Sequence, residues 1–338
     1  MKKLMHILKH EHTLDQYQSS DDLVYVLNKY NFDGFEIICC GDENSNKIPE
    51  DKITGYHMSF YSYWIDMWNY NPKRLILEYG DLETCMEFYQ MDYSEFECAD
   101  NRQEYIRHKM VDSFRNDCDH ADLLGASYVV FHVSNVNSKE TFNYELENEN
   151  KVIIDAAAEI INQILDGRSY DFEFLLENLW WSGLDFLDPE DTVHLFDLVN
   201  YEKKGFMLDI GHLLNSNPNL GDEKEALIYI NEVIERYDGK FDIKKHIRGI
   251  HLHQSLTGKY VLDFLKNFPD EIYGMSYYEK FAKLYDHVLQ IDTHSPMVFD
   301  GTRDFINMID PEYLVYEITE SNRSQLMQLL DLQDSIFV

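Results

Sequence analysis

The sequence predicts an α/β protein folded as a (β/α)8 TIM barrel, and three observations favour this fold class. Short apolar runs alternate with longer amphipathic segments along the whole chain, as expected where strands alternate with helices. The 338 residues suit one large barrel, and no linker rich in Pro, Gly or Ser divides them, so we expect a single domain over residues 1–338. Neither a glycine-rich dinucleotide motif nor a P-loop occurs, which argues against a doubly wound nucleotide-binding sheet.

Eight apolar runs are the predicted strands. They lie at Lys3–Leu8, Gly34–Ile38, Ile53–Met58, Tyr128–Val133, Phe172–Leu176, Gly205–Leu208, Ile247–Leu252 and Leu314–Tyr316. The amphipathic segments that we expect to be helices include Leu14–Tyr30, Arg102–Leu124, Val152–Leu165, Glu190–Val199, Glu223–Tyr237 and Arg323–Ser335. Asp188-Pro189 marks one helix start clearly, because it combines an N-cap aspartate with a proline in the first turn.

Two of the connections that follow strands are enlarged. Ser59–Asn101 follows strand 3, and Ser255–Tyr285 follows strand 7. Connections at this end of the strands lie at the C-terminal face of a barrel, where active sites are built and covered. We therefore expect these two loops to form a cover over a substrate.

Composition and charge restrict the classes of partner. With 29 Lys and Arg against 62 Asp and Glu, the formal net charge is −33, which argues against binding to nucleic acid or to anionic membranes. No apolar stretch is long enough for a membrane span, and the five cysteines show no C-x-x-C spacing. We expect a cytoplasmic protein with a small-molecule substrate; the sequence leaves open whether it forms a homo-oligomer.

Six of the eight predicted strands carry a histidine or a carboxylate at or near their C-terminal ends. These residues are His57, His132, Glu177, Asp209, His251 and Glu317. In a barrel the C-terminal ends of all strands converge on one cavity, so we expect these side chains to share a site. Imidazole together with carboxylate suits zinc, manganese, iron or cobalt. Six unpaired buried groups of this kind would be costly, which argues against a purely structural role.

Several neighbouring residues allow more than one interpretation. His253 lies on the same strand face as His251, either as a partner of a metal ligand or as a substrate contact. Trp180 and Trp181 follow the fifth strand and either wall the pocket or simply pack. We take His253 and both tryptophans as candidate substrate-binding residues. Glu36, at the end of the second strand, is either an internal hydrogen-bonding group or a member of the site.

These residues resemble the xylose-isomerase-like TIM barrels, a superfamily that unites sugar (phosphate) isomerases and epimerases with AP endonucleases of the endonuclease IV type. The stretches that carry the resemblance are Leu176-Glu177-Asn178, Leu208-Asp209-Ile210-Gly211-His212, Ile250-His251-Leu252-His253, Asp292-Thr293-His294 and Tyr316-Glu317. By similarity to the isomerases, Glu177, Asp209, His251 and Glu317 would hold one divalent metal. By similarity to endonuclease IV, the same four would belong to a three-metal site completed by His57, His132, His212, Asp292 and His294.

The resemblance offers two chemistries. In an isomerase or epimerase, Glu177 and Glu317 would remove and return a proton at the substrate carbon. In a phosphodiesterase, two or three metals would activate water and hold the attacking and leaving oxygens. The complete set of nine ligand positions favours hydrolysis, whereas the net charge and the acidic Ser59–Asn101 loop favour a small carbohydrate-like substrate. We take the metal-dependent isomerase or epimerase as the first hypothesis and the metallohydrolase as the alternative.

Overall fold

Eight parallel strands close into a barrel in the computed structural model, which describes residues 1–39, 47–269, 272, 274–320 and 322–337. The strands are β1 (Lys2–Lys9), β2 (Gly34–Cys39), β3 (Ile53–His57), β4 (Tyr128–His132), β5 (Glu173–Glu177), β6 (Lys204–Asp209), β7 (Ile247–Leu252) and β8 (Tyr313–Tyr316). β1 pairs with both β2 and β8, which closes the barrel. The predicted fold class is confirmed, and no strand end differs from its predicted position by more than one residue.

Helices surround the barrel. They are Glu11–Leu14, Ser20–Tyr30, Ile65–Trp68, Pro72–Tyr79, Leu82–Phe88, Tyr93–Cys98, Arg102–Leu123, Ser138–Asn143, Asn150–Leu165, Pro189–Leu198, Ile210–Asn215, Glu223–Glu235, Ile243–His246, Gly258–Lys266, Tyr277–Ile291, Thr302–Ile309 and Arg323–Asp334. Short 3-10 turns lie at Glu50–Lys52 and Ser335–Phe337, and a two-stranded ribbon pairs Ser134–Asn135 with Ser182–Gly183. The Asp188 carboxylate accepts from the Glu190 backbone N–H at 2.9 Å, as the predicted helix start requires.

The predicted continuous helix over Leu14–Tyr30 is wrong. The chain forms a single turn at Glu11–Leu14 and a second helix at Ser20–Tyr30, with Ser19 extended between them. Tyr17 is buried in this break, and the Asp22 carboxylate accepts from the Gln18 backbone N–H at 3.2 Å. The apolar spacing is therefore produced by two elements, and an aspartate in the first turn stabilises the start of the second.

The barrel interior changes from apolar to polar along the strands. An apolar cluster fills the part nearer the strand N-termini, and its members are Leu4, Tyr128, Val130, Leu175, Met207, Tyr313 and Val315. The Tyr128 hydroxyl marks the upper limit of this cluster, since it donates at 2.7 Å to the buried carboxylate of Glu36. Above this point the interior is lined by histidines and carboxylates, so the packed floor confines the polar groups to the C-terminal half.

The two enlarged loops are helical and contact each other. Ser59–Asn101 contains four short helices, and the second loop contains Gly258–Lys266 and the beginning of Tyr277–Ile291. The rings of Tyr79 and Tyr277 pack at 4.5 Å between centroids, and the Lys280 ammonium donates to the Glu78 carbonyl at 3.0 Å. The loops therefore join above the barrel mouth.

The remaining sequence features are simple to place. None of the helices within the described ranges is both long enough and apolar enough to cross a bilayer. Four cysteines, Cys39, Cys85, Cys98 and Cys118, form no disulfide with one another, and Cys40 lies outside the described residues.

Candidate metal centre

Three donor atoms meet where β3, β4 and β5 end. His57 Nε2 and His132 Nε2 lie 3.1 Å apart, and they approach Glu177 Oε2 at 3.1 and 3.0 Å, respectively. His57 and Glu177 are buried and His132 is nearly so. Each is the last residue of its strand, and its side chain points into the barrel mouth. We call this set the first donor group.

A second donor group combines the ends of β5, β6, β7 and β8. His251 Nδ1 lies 3.0 Å from Glu177 Oε1, 2.9 Å from Glu317 Oε2 and 3.5 Å from Asp209 Oδ2. Glu317 Oε2 is buried, and although His251 Nδ1 lies 2.9 Å from it, no described residue donates to it with hydrogen-bond geometry. Glu177 is shared: its Oε2 faces the first donor group and its Oε1 faces the second.

The third donor group, His212, Asp292 and His294, lies beside the second. Asp292 Oδ2 is 3.2 Å from His212 Nε2 and 2.8 Å from His294 Nε2. Local structure explains these positions. Asp209 caps the helix Ile210–Asn215 by accepting from the His212 backbone N–H at 2.6 Å, which places His212 in the first turn. His294 adopts a left-handed φ of 46°.

Backbone carbonyls fix the orientation of three histidines. The pairs are His57 with Met58 at 2.9 Å, His212 with Asn178 at 2.9 Å and His294 with Glu317 at 3.0 Å, each through Nδ1. Because a carbonyl oxygen can only accept, each Nδ1 carries a proton, and Nε2 is the nitrogen directed into the site. This arrangement is typical of metal-binding histidines, whose other nitrogen is held by a backbone or carboxylate oxygen.

Glu36 orients the fourth histidine. Its carboxylate lies 3.0 Å from His251 Nε2 and 3.2 Å from His6 Nδ1, and it accepts from the Tyr128 hydroxyl. Glu36 is fully buried, so these are its partners in place of water. Of the two sequence interpretations, the geometry places Glu36 behind His251 as its hydrogen-bonding partner, with His251 Nδ1 directed into the second donor group.

Burial and charge determine the protonation of the carboxylates. Burial alone would raise the pKa of the Glu177 carboxyl, but His132 and His251 hold that pKa well below its usual range. The pKa values of Asp209 and Asp292 are lowered for the same reason, by the histidines around them, against the effect of burial. Burial would lower the pKa of His294, but Asp292 raises it to about 9.

The donor set fits divalent transition metals. Within the described residues, every cationic partner that lies within 4.0 Å of the four carboxylates of the donor groups is a histidine. The neighbouring donor atoms lie about 3 Å apart, close to the roughly 3.3 Å between ligands of a tetrahedral zinc whose bonds are about 2.0–2.1 Å long. A metal would neutralise the buried carboxylates and complete the coordination of the orphaned Glu317 oxygen.

His253 and the two tryptophans line the same mouth. His253 Nε2 lies 2.9 Å from Asp209 Oδ2, and its ring stacks on that of His294 at 4.3 Å. Gly211 makes room for this ring, because a Cβ there would lie 2.0 Å from an imidazole carbon. The Trp180 ring packs at 4.2 Å on Trp181 and at 5.2 Å on His212.

Other contributors to the site were not identified from the sequence. The Asn178 side chain forms two hydrogen bonds with the Asp209 backbone, at 2.9 and 3.0 Å, and the Ser255 hydroxyl donates to Asp292 at 2.8 Å. The Phe60 ring packs against His132 at 4.6 Å between centroids. Asn178 directly follows Glu177, which is a usable signal. Ser255 and Phe60 depend on how the enlarged loops fold, and no local pattern marks them.

Comparisons with known proteins agree with this architecture. The profile of the xylose isomerase-like TIM barrel family matches residues 24–283. Among solved structures, endonuclease IV from Thermus thermophilus is 12% identical, with 100% of this chain and 99% of that chain covered and a TM-score of 0.51. IolI protein with a binding zinc atom is 14% identical, with 100% and 97% covered and a TM-score of 0.51.

A D-tagatose 3-epimerase-like protein is 15% identical, with 100% of both chains covered and a TM-score of 0.45. At these identities the structural likeness concerns the fold. No protein of curated function matches the sequence significantly. Because the family profile spans well over half of its residues, the chain belongs to the xylose isomerase-like TIM barrel family.

Proposed function

We propose that this chain is a metal-dependent enzyme that hydrolyses a phosphoester bond of a small molecule. The observation that carries this proposal is the placement of Glu177, whose two oxygens face different donor groups. A carboxylate in this position is suited to join two neighbouring ions. Isomerisation at a single metal would need only the second donor group, so the first and third groups favour a centre of two or three ions.

The residues that would hold the ions are those of the three donor groups. His57, His132 and Glu177 form the first, Glu177, Asp209, His251 and Glu317 the second, and His212, Asp292 and His294 the third. Two or three bound divalent ions would supply an activated water and stabilise the charge on the attacking and leaving oxygens. In the overall reaction, water adds to phosphorus, the ester P–O bond breaks, and the alcohol leaves with one proton of the water.

The surrounding residues have distinct roles in this proposal. Glu36 holds His251, and the backbone carbonyls hold His57, His212 and His294, so that the donor atoms are fixed before substrate arrives. His253 directs Nε2 at Asp209, and its buried Nδ1 has no hydrogen-bond partner among the described residues.

The substrate that we propose is small rather than a nucleic acid. A net charge of −33 opposes the approach of a phosphate backbone, and the enlarged loops join above the barrel mouth. We also propose that residues 1–338 act as one domain, since both loops that cover the mouth arise from the barrel itself.

One observation favours a second candidate, a sugar (phosphate) isomerase or epimerase. Glu177 and Glu317 arise from β5 and β8, and both approach His251 Nδ1 at about 3 Å. The histidines around them lower the pKa of both carboxyls, in spite of burial, so both are ionised at neutral pH. Two such carboxylates on either side of a substrate carbon could exchange its proton.

Metal stoichiometry and reaction products distinguish the two candidates. We expect protein purified without chelator to contain two or three equivalents of zinc, manganese, iron or cobalt, measured by elemental analysis. The metal-loaded protein should release p-nitrophenol from bis(p-nitrophenyl) phosphate, and Glu177→Gln should reduce turnover at least about 100-fold. Glu202→Gln, at an exposed surface position, is the matched control.

The opposite outcome is equally specific. A single bound metal, no phosphoester cleavage, and deuterium placed on carbon when a ketose or aldose is incubated in D2O would establish the isomerase and exclude the hydrolase. Phosphoester cleavage without any carbon-bound deuterium would exclude the isomerase.

A further inference from the structure

A cavity of about 340 Å³ opens directly from the metal centre. Its inner end is formed by His132, His212 and Asp292, which belong to the first and third donor groups. The remaining walls come from both enlarged loops, from the helix Tyr277–Ile291 and from the segments after β4 and β5. Aromatic rings dominate these walls: Phe60, Tyr63, Tyr79, Phe88, Trp180, Trp181, Tyr277, Phe281 and Tyr285. We call this space the aromatic cavity.

We propose that the substrate carries an aromatic or heteroaromatic ring that binds in the aromatic cavity, while its reacting group lies at the metal centre. This inference rests on the metal centre of the proposed function, but not on which reaction takes place there. The volume is at the lower end of the range for small-molecule sites, so it suits one ring system and its attached polar group.

The aromatic rings of the cavity reach the metal-site histidines. Phe60 packs against His132 and Trp180 against His212, with tilted ring planes, at 4.6 and 5.2 Å between ring centroids. The aromatic wall therefore begins at the donor groups themselves. Phe281 and Tyr285 also line the cavity and are 43% and 58% exposed, so a bound ring could cover them.

The charge of the cavity argues against a second anionic group on the ligand. Apart from the metal-site residues, Lys280 and Glu78 are the charged residues among the described lining. The Lys280 ammonium donates to the Glu78 carbonyl, and the Glu78 carboxylate accepts from the Ser138 backbone N–H and hydroxyl at 3.1 and 2.9 Å. No arginine lines the described cavity, so it lacks the bidentate donors that typically bind phosphate or carboxylate.

Two polar groups of the wall lack a hydrogen-bond partner. The indole N–H groups of Trp180 and Trp181 are buried, and neither has an acceptor among the described residues. Buried indole donors usually find a partner, because leaving one unpaired is unfavourable. An acceptor atom on the ring of the ligand, such as a ring nitrogen or oxygen, would satisfy one of these donors once the indole ring turns towards it.

Binding of two simple chelators tests the proposal independently of any reaction. Benzohydroxamate and acetohydroxamate share the metal-binding group and differ in the ring. With zinc-loaded protein, we expect benzohydroxamate to bind at least about 10-fold more tightly, measured by calorimetry with zinc content checked afterwards. Trp181→Ala should reduce this preference to about 3-fold or less, while acetohydroxamate affinity stays within about 2-fold.

Two further variants guard against misfolding and non-specific effects. Phe281→Ala removes a ring that is already 43% exposed, and it should also weaken benzohydroxamate selectively. Tyr25→Ala removes an exposed ring from the helix Ser20–Tyr30, outside the cavity, and should leave the preference unchanged.

Each outcome decides between defined alternatives. Equal binding of the two hydroxamates overturns the inference, and cyclohexanehydroxamate binding as tightly as benzohydroxamate overturns the assignment of an aromatic ring. A preference for benzohydroxamate without phosphoester turnover would support the inference and contradict the proposed hydrolase. Phosphoester turnover without this preference would support the hydrolase and contradict the inference. If none of the hydroxamates binds, both the proposed metal centre and the inference are contradicted.

Discussion

At the scale of single residues, the site depends on histidine nitrogens and carboxylate oxygens that lie about 3 Å apart. Glu177 is the clearest case, because each of its oxygens faces a different donor group. Replacing it with Gln keeps the size but removes one charge and one of the two equivalent acceptor oxygens. Glu36, by contrast, contacts Nε2 of His251, the ring nitrogen that is not directed into the second donor group. The two glutamates should therefore respond differently to the same substitution.

We expect Glu177→Gln to lose at least one equivalent of bound metal, because two donor groups share its carboxylate. Glu36→Gln should keep the stoichiometry and weaken metal affinity by about 10- to 100-fold, as is typical for partners of metal-binding histidines. Elemental analysis and competition with a chromogenic chelator measure the two quantities. Equal stoichiometry in both variants would contradict the bridging role of Glu177.

Gly211 is the second sensitive position. Any side chain there would meet the His253 ring, so Gly211→Ala should displace His253 and destabilise the protein by about 1–3 kcal/mol. Thermal unfolding compared with Gly274→Ala provides the control, since a Cβ at Gly274 meets no atom within 4 Å. An unchanged melting temperature for Gly211→Ala would show that the His253 ring moves without cost.

At the scale of elements, the strands were predictable and part of the helical structure was not. Apolar runs such as Tyr128–Val133 are short, rich in β-branched and aromatic residues, and buried on both faces over most of their length, so their pattern has one interpretation. The segment Leu14–Tyr30 has helical spacing, yet Tyr17 packs into a break that only tertiary contacts specify. The site residues at strand ends could be identified for the same reason as the strands, because barrel geometry brings those ends together.

The helices of the enlarged loops could not be derived in the same way. Their positions depend on contacts between segments that are distant in the chain, such as the Tyr79 ring against Tyr277. Phe60, which packs against His132, belongs to one of these loops. The metal-ligand positions were therefore accessible from sequence, whereas the shape of the cavity beside them was not.

The helix Tyr277–Ile291 should respond to acid through His287. Burial among the rings of Phe142, Tyr260 and Phe264 lowers the pKa of His287 to about 4. The unfolded chain, with a histidine pKa of about 6.5, then binds more protons than the folded chain between pH 6.5 and 4. The contribution of His287 to stability is thus complete above pH 6.5 and is lost as the pH falls towards 4.

Substitution isolates this effect from the other histidines. As the pH falls from 6.5 to 4, the melting temperature of the native protein should decrease relative to that of His287→Gln. His108→Gln, at an exposed position, should follow the native protein throughout. A pH-independent difference for His287→Gln would mean that His287 titrates normally in the folded chain.

At the scale of the whole molecule, the excess of negative charge and the buried carboxylates make stability dependent on cations. Chelation should lower the melting temperature by about 4 °C or more, since a ligand at 100 times its Kd contributes about 2.7 kcal/mol. Zinc added back should restore it, whereas calcium should not, because histidine-rich sites disfavour hard cations. An unchanged melting temperature after addition of chelator would contradict the proposed metal centre.

The filled floor of the barrel has a kinetic consequence. Tyr128 and Tyr313 pack at 4.3 Å between ring centroids and, with their apolar neighbours, occupy the interior below the donor groups. Whatever reacts at the centre must therefore arrive and depart at the C-terminal face of the barrel. A leaving group that remained in the aromatic cavity would block the binding of the next substrate molecule. Release of the ring-bearing product, rather than bond breaking, would then be the rate-limiting step of turnover.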